Sequence, residues 1–203
     1  MTRIAICAGA MALCLAFAGL ARAGIITYTE QATATGTLGT SSFTDALLTL
    51  AYVGNTADVA HTGTIYYYPL AGGTVTVAGV GTAAFTEWVS VFVDQVNSPG
   101  PPGKIAFGTS HGTILATINP AFASYDLTTA FPPISGFAYG NPTAFPVTTT
   151  LGDLSFSVSG SPTFSAAETV PEPASLTLFC IGLASVVARG CAMRRSRSRR
   201  AGH

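Results

Sequence analysis

The sequence predicts an all-β body, an antiparallel two-layer β-sandwich, flanked by an apolar helix at each end of the chain. Apolar and polar residues alternate with period two, as where Leu154, Phe156 and Val158 are separated by serines. The same period places the valines at positions 89, 91 and 93 on the face opposite to that of Phe92. Threonine occurs 25 times between residues 24 and 167, and its branched side chain suits a pleated, half-buried surface. Turn-forming Gly, Pro and Asn recur at short intervals, and no amphipathic helical pattern exceeds two turns. This combination favours a sandwich over an α/β fold.

Nine strands are predicted within the body. Alternation between the turn residues places them at Ile25–Thr33, Phe43–Val53, Val59–Tyr68, Thr74–Phe85, Trp88–Val96, Lys104–Gly108, Thr113–Ile118, Phe145–Leu151 and Leu154–Ser159. The segment Ala121–Thr129 fits either a short helix or an irregular link. We expect the body to span residues 24–164 and a brief linker to span residues 165–170.

Charged residues are segregated along the chain. Of the nine Lys and Arg residues only Lys104 lies in the body, whereas seven acidic residues lie between residues 24 and 167. One positive and seven negative charges give this stretch a net charge of −6. It lacks the clustered cations that bind nucleic-acid phosphates, so we expect no nucleic-acid partner.

Cysteines are confined to the two ends of the chain. All four lie in or beside the terminal apolar runs, at Cys7, Cys14, Cys180 and Cys191. Disulfides and thiolate metal sites are therefore excluded from the body. Its stability must come from burial, and a domain of about 150 residues buries roughly 70% of its unfolded surface.

The first 23 residues match a secretory signal peptide. Arg3 precedes an uncharged run that ends in Ala21-Arg22-Ala23, an A-x-A cleavage pattern. We expect export through Sec-type machinery and cleavage before Gly24. The alternative is an uncleaved anchor, because an uncharged run of this length nearly spans a bilayer.

Residues 171–203 have three parts. Pro171-Glu172-Pro173 comes first, an apolar segment follows over residues 174–193, and a basic tail covers residues 194–203. The two prolines favour an extended, accessible peptide, because proline lacks an N–H and biases its preceding residue away from helix.

The apolar segment is short for a membrane span. Residues 174–188 would reach about 22 Å as a helix, less than the hydrocarbon core of about 30 Å. The span is long enough if it continues to Met193 and the Arg189 side chain reaches the interface. The basic residues that would retain this end in the cytoplasm are Arg189, Arg194, Arg195, Arg197, Arg199 and Arg200.

This three-part order resembles the PEP-CTERM sorting signal. In that family a membrane protease of the exosortase type recognises the Pro-Glu-Pro motif, removes the tail and releases or transfers the protein. The resemblance implies that Pro171, Glu172 and Pro173 are the recognition residues. It also implies transient anchoring in the inner membrane of a Gram-negative bacterium, followed by delivery to the cell surface or a polysaccharide matrix. The alternative is a permanent single-span anchor.

The body is itself similar to a recurring group of PEP-CTERM exported proteins. The similarity is carried by the stretch from Thr35 to Leu50 and by the stretch from Tyr125 to Gly136. It implies a shared architecture and no particular activity.

One catalytic pattern occurs in the body. Gly108-Thr109-Ser110-His111-Gly112 fits the G-x-S-x-G nucleophile elbow, which requires a strand, a sharp turn and then a helix. The residues that follow are β-prone, and the only later histidine is His203, so we expect a loop. No catalytic residue is predicted.

No metal site or cofactor is predicted. His61 and His111 have no second His or Cys at ligand spacing, and no calcium-loop motif is present. A calcium site gathered from distant loops, and a carboxylate pair for glycoside hydrolysis, remain open.

Aromatic residues are the best candidates for ligand contact. Tyr66, Tyr68 and Trp88 could stack on sugar rings, and Tyr66 and Tyr68 would share one face of a strand. The alternative is that this face is core. The favoured function is a non-catalytic surface or matrix protein associated with exopolysaccharide. The alternatives are a carbohydrate-binding module and, third, a secreted hydrolase.

Overall fold

A computed structural model describes residues 24–69, 72–140 and 146–169 of the chain. The predicted signal helix, the predicted membrane segment and the Pro-Glu-Pro motif all lie outside the described residues. No helix within the described ranges is long and apolar enough to cross a membrane.

The described residues form antiparallel strands in two sheets. In chain order the strands are β1 (Ile25–Leu38), β2 (Ser41–Asn55), β3 (Ala60–Thr62), β4 (Ile65–Tyr67), β5 (Thr74–Val77), β6 (Gly81–Ala84), β7 (Ser90–Asp94), β8 (Lys104–Thr109), β9 (Gly112–Ile118), β10 (Phe131–Ser135), β11 (Phe137–Tyr139), β12 (Val147–Thr149), β13 (Gly152–Val158) and β14 (Thr163–Thr169). Short 3-10 helices cover Thr56–Asp58 and Pro120–Ser124. The predicted all-β class with antiparallel sheets is confirmed.

The first sheet is built on the long hairpin of β1 and β2. Their register runs from Ile25 opposite Asn55 to Leu38 opposite Ser41, with one shift between Ala34 and Gly36. The turn places Gly39 at φ +60°, a left-handed conformation that glycine adopts without the cost of a Cβ. Strand β2 continues the sheet to β5 and β6.

The other edge of β1 is shared by two strands. Strand β14 pairs with its first half and β13 with its second half, while β10 pairs with β14 and β12 with β13. Beyond β6, the Thr86 N–H donates to the Thr148 carbonyl at 3.0 Å and the Thr150 N–H donates to the Ala84 carbonyl at 2.9 Å. These bonds connect β6, at one edge of the sheet, to β12, which pairs with β13. The first sheet is therefore joined to itself through these two strands.

The second sheet is a six-stranded antiparallel sheet with the order β11-β9-β8-β7-β4-β3. Its inward residues meet those of the first sheet in one core, which gives a sandwich-like arrangement. Val89, Val91 and Val93 show the predicted alternation, because all three are fully buried while Ser90 and Phe92 between them are only half-buried.

Several predicted element bounds require correction. The predicted strand Val59–Tyr68 is divided by a turn at Gly63-Thr64, and Thr74–Phe85 is divided by a turn over residues 78–80. Strands β10 and β11 were not predicted, because two prolines in β10 and a glycine between the strands look like loop signals. Residues 121–129, for which a short helix or an irregular link was expected, begin inside the 3-10 helix Pro120–Ser124 and continue without regular structure.

The predicted linker over residues 165–170 is wrong over its described part. Ser165 to Thr169 belong to β14, which pairs with β1 from Thr163 opposite Gln31 to Thr169 opposite Ile25. Phe164 and Ala166 on this strand are buried in the core. The folded body therefore extends to Thr169.

Candidate sorting signal and ligand surface

The two ends of the described body lie side by side at one end of the first sheet, on the neighbouring strands β1 and β14. Ile25 lies opposite Thr169, and the Thr169 hydroxyl donates to the Ile25 carbonyl at 3.0 Å. The N–H of Gly24, the predicted first residue after cleavage, donates to the Thr56 hydroxyl at 3.0 Å. The other predicted processing residues lie outside the described residues: Ala21, Ala23, Pro171, Glu172, Pro173, Arg189, Arg194, Arg195, Arg197, Arg199 and Arg200.

Tyr68 was predicted as a ligand contact, and its position contradicts this. The side chain is 1% exposed, and its hydroxyl lies 2.8 Å from that of Tyr28 in the core. The sequence predicted that Tyr66 and Tyr68 share one face of the strand. In the structure this face points into the core at Tyr68. A side chain with no accessible surface cannot stack on a sugar.

Tyr66 and Trp88 keep part of their surface. Tyr66 is half-buried, and its ring stacks on that of His61 with centroids 5.4 Å apart. Trp88 is 67% exposed and precedes β7. Of the three predicted aromatics, Trp88 has the most surface available to a ligand.

The buried tyrosines form a structural cluster. Tyr28 donates from its hydroxyl to the Leu127 carbonyl, and the Tyr68 hydroxyl completes the chain of hydrogen bonds. Leu127 has φ +65°, a strained value for a residue with a side chain, and the bond from Tyr28 helps to hold it. Burial raises the pKa of the Tyr28 hydroxyl far above its usual range, and the bond with Tyr68 raises it further. The hydroxyl therefore stays protonated and cannot serve as a base.

Replacing Tyr28 with phenylalanine is expected to lower the free energy of unfolding by about 1–3 kcal/mol, because it leaves the Leu127 carbonyl and the Tyr68 hydroxyl buried without this partner. Urea unfolding measures the change. Tyr139→Phe is the control, since Tyr139 is 58% exposed, and it should shift stability by less than about 0.5 kcal/mol. Equal effects of the two variants would contradict a structural role for the Tyr28 hydroxyl.

Glu30 is a carboxyl group fully buried between the two sheets. It lies on the inward face of β1 with Ile26 and Tyr28, and its Oε1 accepts from the Thr117 hydroxyl of β9 at 2.8 Å. Its Oε2 has no hydrogen-bond partner among the described residues. Burial raises the pKa of Glu30 well above its usual range, and the opposing effects of the Thr117 hydroxyl and the Phe107 backbone are smaller. Burial in the core therefore disfavours the charged form of Glu30.

Three other acidic side chains accept hydrogen bonds within turns and loops. Asp94 Oδ1 accepts from the N–H groups of Val96 and Asn97, at 3.2 and 2.9 Å. Asp126 accepts from both the N–H and the hydroxyl of Thr128, and Glu87 accepts from the N–H of Thr148. Turn and loop stabilisation explains these carboxylates without a catalytic pair.

The G-x-S-x-G pattern lies in a β-hairpin. Ser110 and His111 form the turn between β8 and β9, and the His111 N–H donates to the Thr109 hydroxyl at 3.1 Å. A strand follows where a nucleophile elbow would require a helix, so the predicted loop is confirmed. Among the described residues, no group of three or more His, Cys, Asp and Glu is placed to hold a metal ion.

The outer face of the second sheet carries aromatic residues that were not predicted from the sequence as ligand contacts. Tyr67, Phe92, Ala106, Ala116 and Tyr139 lie directly opposite one another across five strands. Directly opposite residues share a face, so these side chains form one row. Both alanines are fully buried although they face outward, which means that larger neighbours cover them.

A second row borders the first on the same face. Ile65, Asp94, Lys104, Ile118 and Phe137 lie opposite one another. Phe137 is 76% exposed, and Lys104 Nζ lies 5.4 Å from the Phe92 ring centroid and 5.9 Å from that of Tyr139. We call Tyr67, Phe92, Lys104, Phe137 and Tyr139 the aromatic face. The only sequence signal for it was the alternation on β7 that turns Phe92 away from the buried valines.

Comparison with known proteins gives one match. A family profile described as the PEP-CTERM protein-sorting motif matches residues 169–195. The matched segment begins at the last residue of β14 and includes the predicted Pro-Glu-Pro motif. No curated protein and no solved structure matches the chain.

Proposed function

We propose that this chain, which carries a PEP-CTERM sorting motif at residues 169–195, is an exported, non-catalytic surface protein. Sec-type machinery exports it, and an exosortase-type membrane protease then recognises Pro171, Glu172 and Pro173 and removes the tail. The released body joins an extracellular polysaccharide matrix. The match of the sorting motif is the observation that carries this proposal.

The boundaries of the folded body support removal of the tail. Strand β14 ends at Thr169, and Pro171 follows only two residues later. Cleavage after Thr169 would leave every described strand in place. Because Gly24 precedes β1 and Thr169 ends β14 at the same end of the first sheet, both removable segments would be joined to the body there.

The engaged acidic residues support a non-catalytic role. Asp94, Asp126 and Glu87 accept hydrogen bonds from neighbouring backbone groups, and Ser110 lies in a hairpin turn. A carbohydrate-binding module is the second candidate function, favoured by the exposure of Trp88 and of the aromatic face.

Replacing Glu172 or Pro173 with alanine is expected to block processing, because the protease would lose its recognition residues. The variants should stay in the membrane fraction as a longer species, whereas the wild-type body should be released or transferred. Cell fractionation followed by intact-mass measurement reports both location and cleavage.

The matched control for this experiment is Glu168→Ala, which removes the same charge four residues earlier, on the exposed end of β14. It should be processed like the wild type. If the wild type and the Glu172 and Pro173 variants have the same mass and all stay in the membrane, the tail is a permanent anchor and the proposal is wrong.

A further inference from the structure

The Pro-Glu-Pro motif begins very close to a paired strand of the body. Strand β14 pairs with β1 as far as Thr169, which lies opposite Ile25 and donates from its hydroxyl to the Ile25 carbonyl at 3.0 Å. Only Val170 lies between Thr169 and Pro171. Two residues of chain reach at most about 7 Å, so Pro171 lies within that distance of the end of β14. A protein that encloses the motif therefore also meets this end of the body.

An uncharged patch with exposed apolar side chains lies at this end, on the outer face of the first sheet. Thr27 lies opposite both Val53 and Ala167, one row further along the strands than the pair of Ile25 and Thr169. Ile25 and Val53 are thus diagonal neighbours, about 7–8 Å apart. Their side chains are 38% and 60% exposed. We call Ile25, Thr27, Val53, Ala167 and Thr169 the terminal patch.

We infer that the terminal patch is a contact surface for the membrane protease that removes the tail. The inference rests on the proposed function, and the connection of the chain names the partner, because whatever binds Pro171 is held within reach of Thr169. The patch suits a protein partner, since the centres of protein interfaces are poor in charged residues. The protease therefore recognises the folded end of the body together with the motif.

The test follows tail removal from the full-length chain by pulse–chase in cells that carry the sorting protease, with intact mass to identify the product. Val53→Asp should slow removal about tenfold, because a charge in a protein contact must be desolvated. Leu47→Asp is the matched control. Leu47 is 48% exposed and alternates with the same buried residues of β2, but it lies six residues from Val53, or about 20 Å along the strand. Its rate should stay within about twofold of the wild type.

A spacer separates direct contact from a defect in folding or export. Ten Gly and Ser residues inserted between Thr169 and Val170 add a mean reach of about 18 Å, so a protease bound to the motif no longer needs to meet the patch. Val53→Asp with this spacer should therefore be processed as fast as the spacer chain alone. Val53→Lys without the spacer should be as slow as Val53→Asp, because either charge must be desolvated.

Three outcomes would overturn the inference. The first is equal processing of Val53→Asp and Leu47→Asp. The second is slow processing of Val53→Asp that the spacer does not relieve. The third is slow processing of Val53→Asp but not of Val53→Lys, which would assign the patch to an anionic membrane surface. In all three the wild type is still processed, whereas a wild type that keeps its tail would overturn the proposed function as well.

Discussion

Replacing Phe164 with alanine is expected to lower the free energy of unfolding by about 3–5 kcal/mol. The ring is fully buried, with its centroid 5.7 Å from that of Phe122, 6.2 Å from that of Tyr125 and 6.4 Å from that of Tyr28. Truncation removes these contacts and leaves a cavity. A loss of this size is a large part of the roughly 5–15 kcal/mol that stabilises a typical domain.

Urea unfolding of the processed protein measures this effect. The matched control is Ser165→Ala, the next residue of β14, which lies opposite Thr29 on the outward face and is half-buried. It should change stability by no more than about 0.5 kcal/mol. If Phe164→Ala is equally mild, β14 is not an integral strand of the body, and the domain boundary at Thr169 is wrong.

Glu30 is expected to make the protein less stable as pH rises. In the unfolded chain its carboxyl loses a proton at the ordinary glutamate pKa of about 4.3, whereas burial raises the pKa in the folded protein. Between these two values the folded state binds more protons, so the Glu30 contribution is fully present below the lower value and declines above it. The decline approaches about 1.4 kcal/mol per pH unit, which corresponds to one proton.

Glu30→Gln tests this dependence. Glutamine has the shape of the protonated carboxyl, can still accept from the Thr117 hydroxyl and cannot ionise. The difference in unfolding free energy between the wild type and this variant should therefore move in favour of the variant as pH rises. Glu168→Gln is the control, because Glu168 is exposed, and it should not reproduce that change. A difference that stays constant from pH 4 to pH 9 would show that Glu30 is ionised in the fold.

The alternation of side chains was sufficient to predict the strand class, the inward valines of β7 and the alternating faces of β4. It could also have identified Glu30 as unusual, since that residue shares a face with Ile26 and Tyr28. It could not place β14 in the body, because the pairing of β14 with β1 joins residues at opposite ends of the chain. Whether a segment forms a strand depends mainly on its own residues and their neighbours. Which strand it pairs with depends on contacts between residues far apart in sequence.

The two candidate sites also differ in how far the sequence alone predicts them. The sorting motif is a contiguous peptide, so its residues, order and charge are fully written in the sequence, and the match at residues 169–195 agrees with it. The aromatic face is assembled from five strands, and only their register brings Tyr139 and Phe92 to either side of Lys104. The sequence by itself determined the strand class and the terminal signal, because both depend on neighbouring residues. The tertiary structure alone decided which aromatic residues are core and which face solvent, because that choice depends on which strands cover one another.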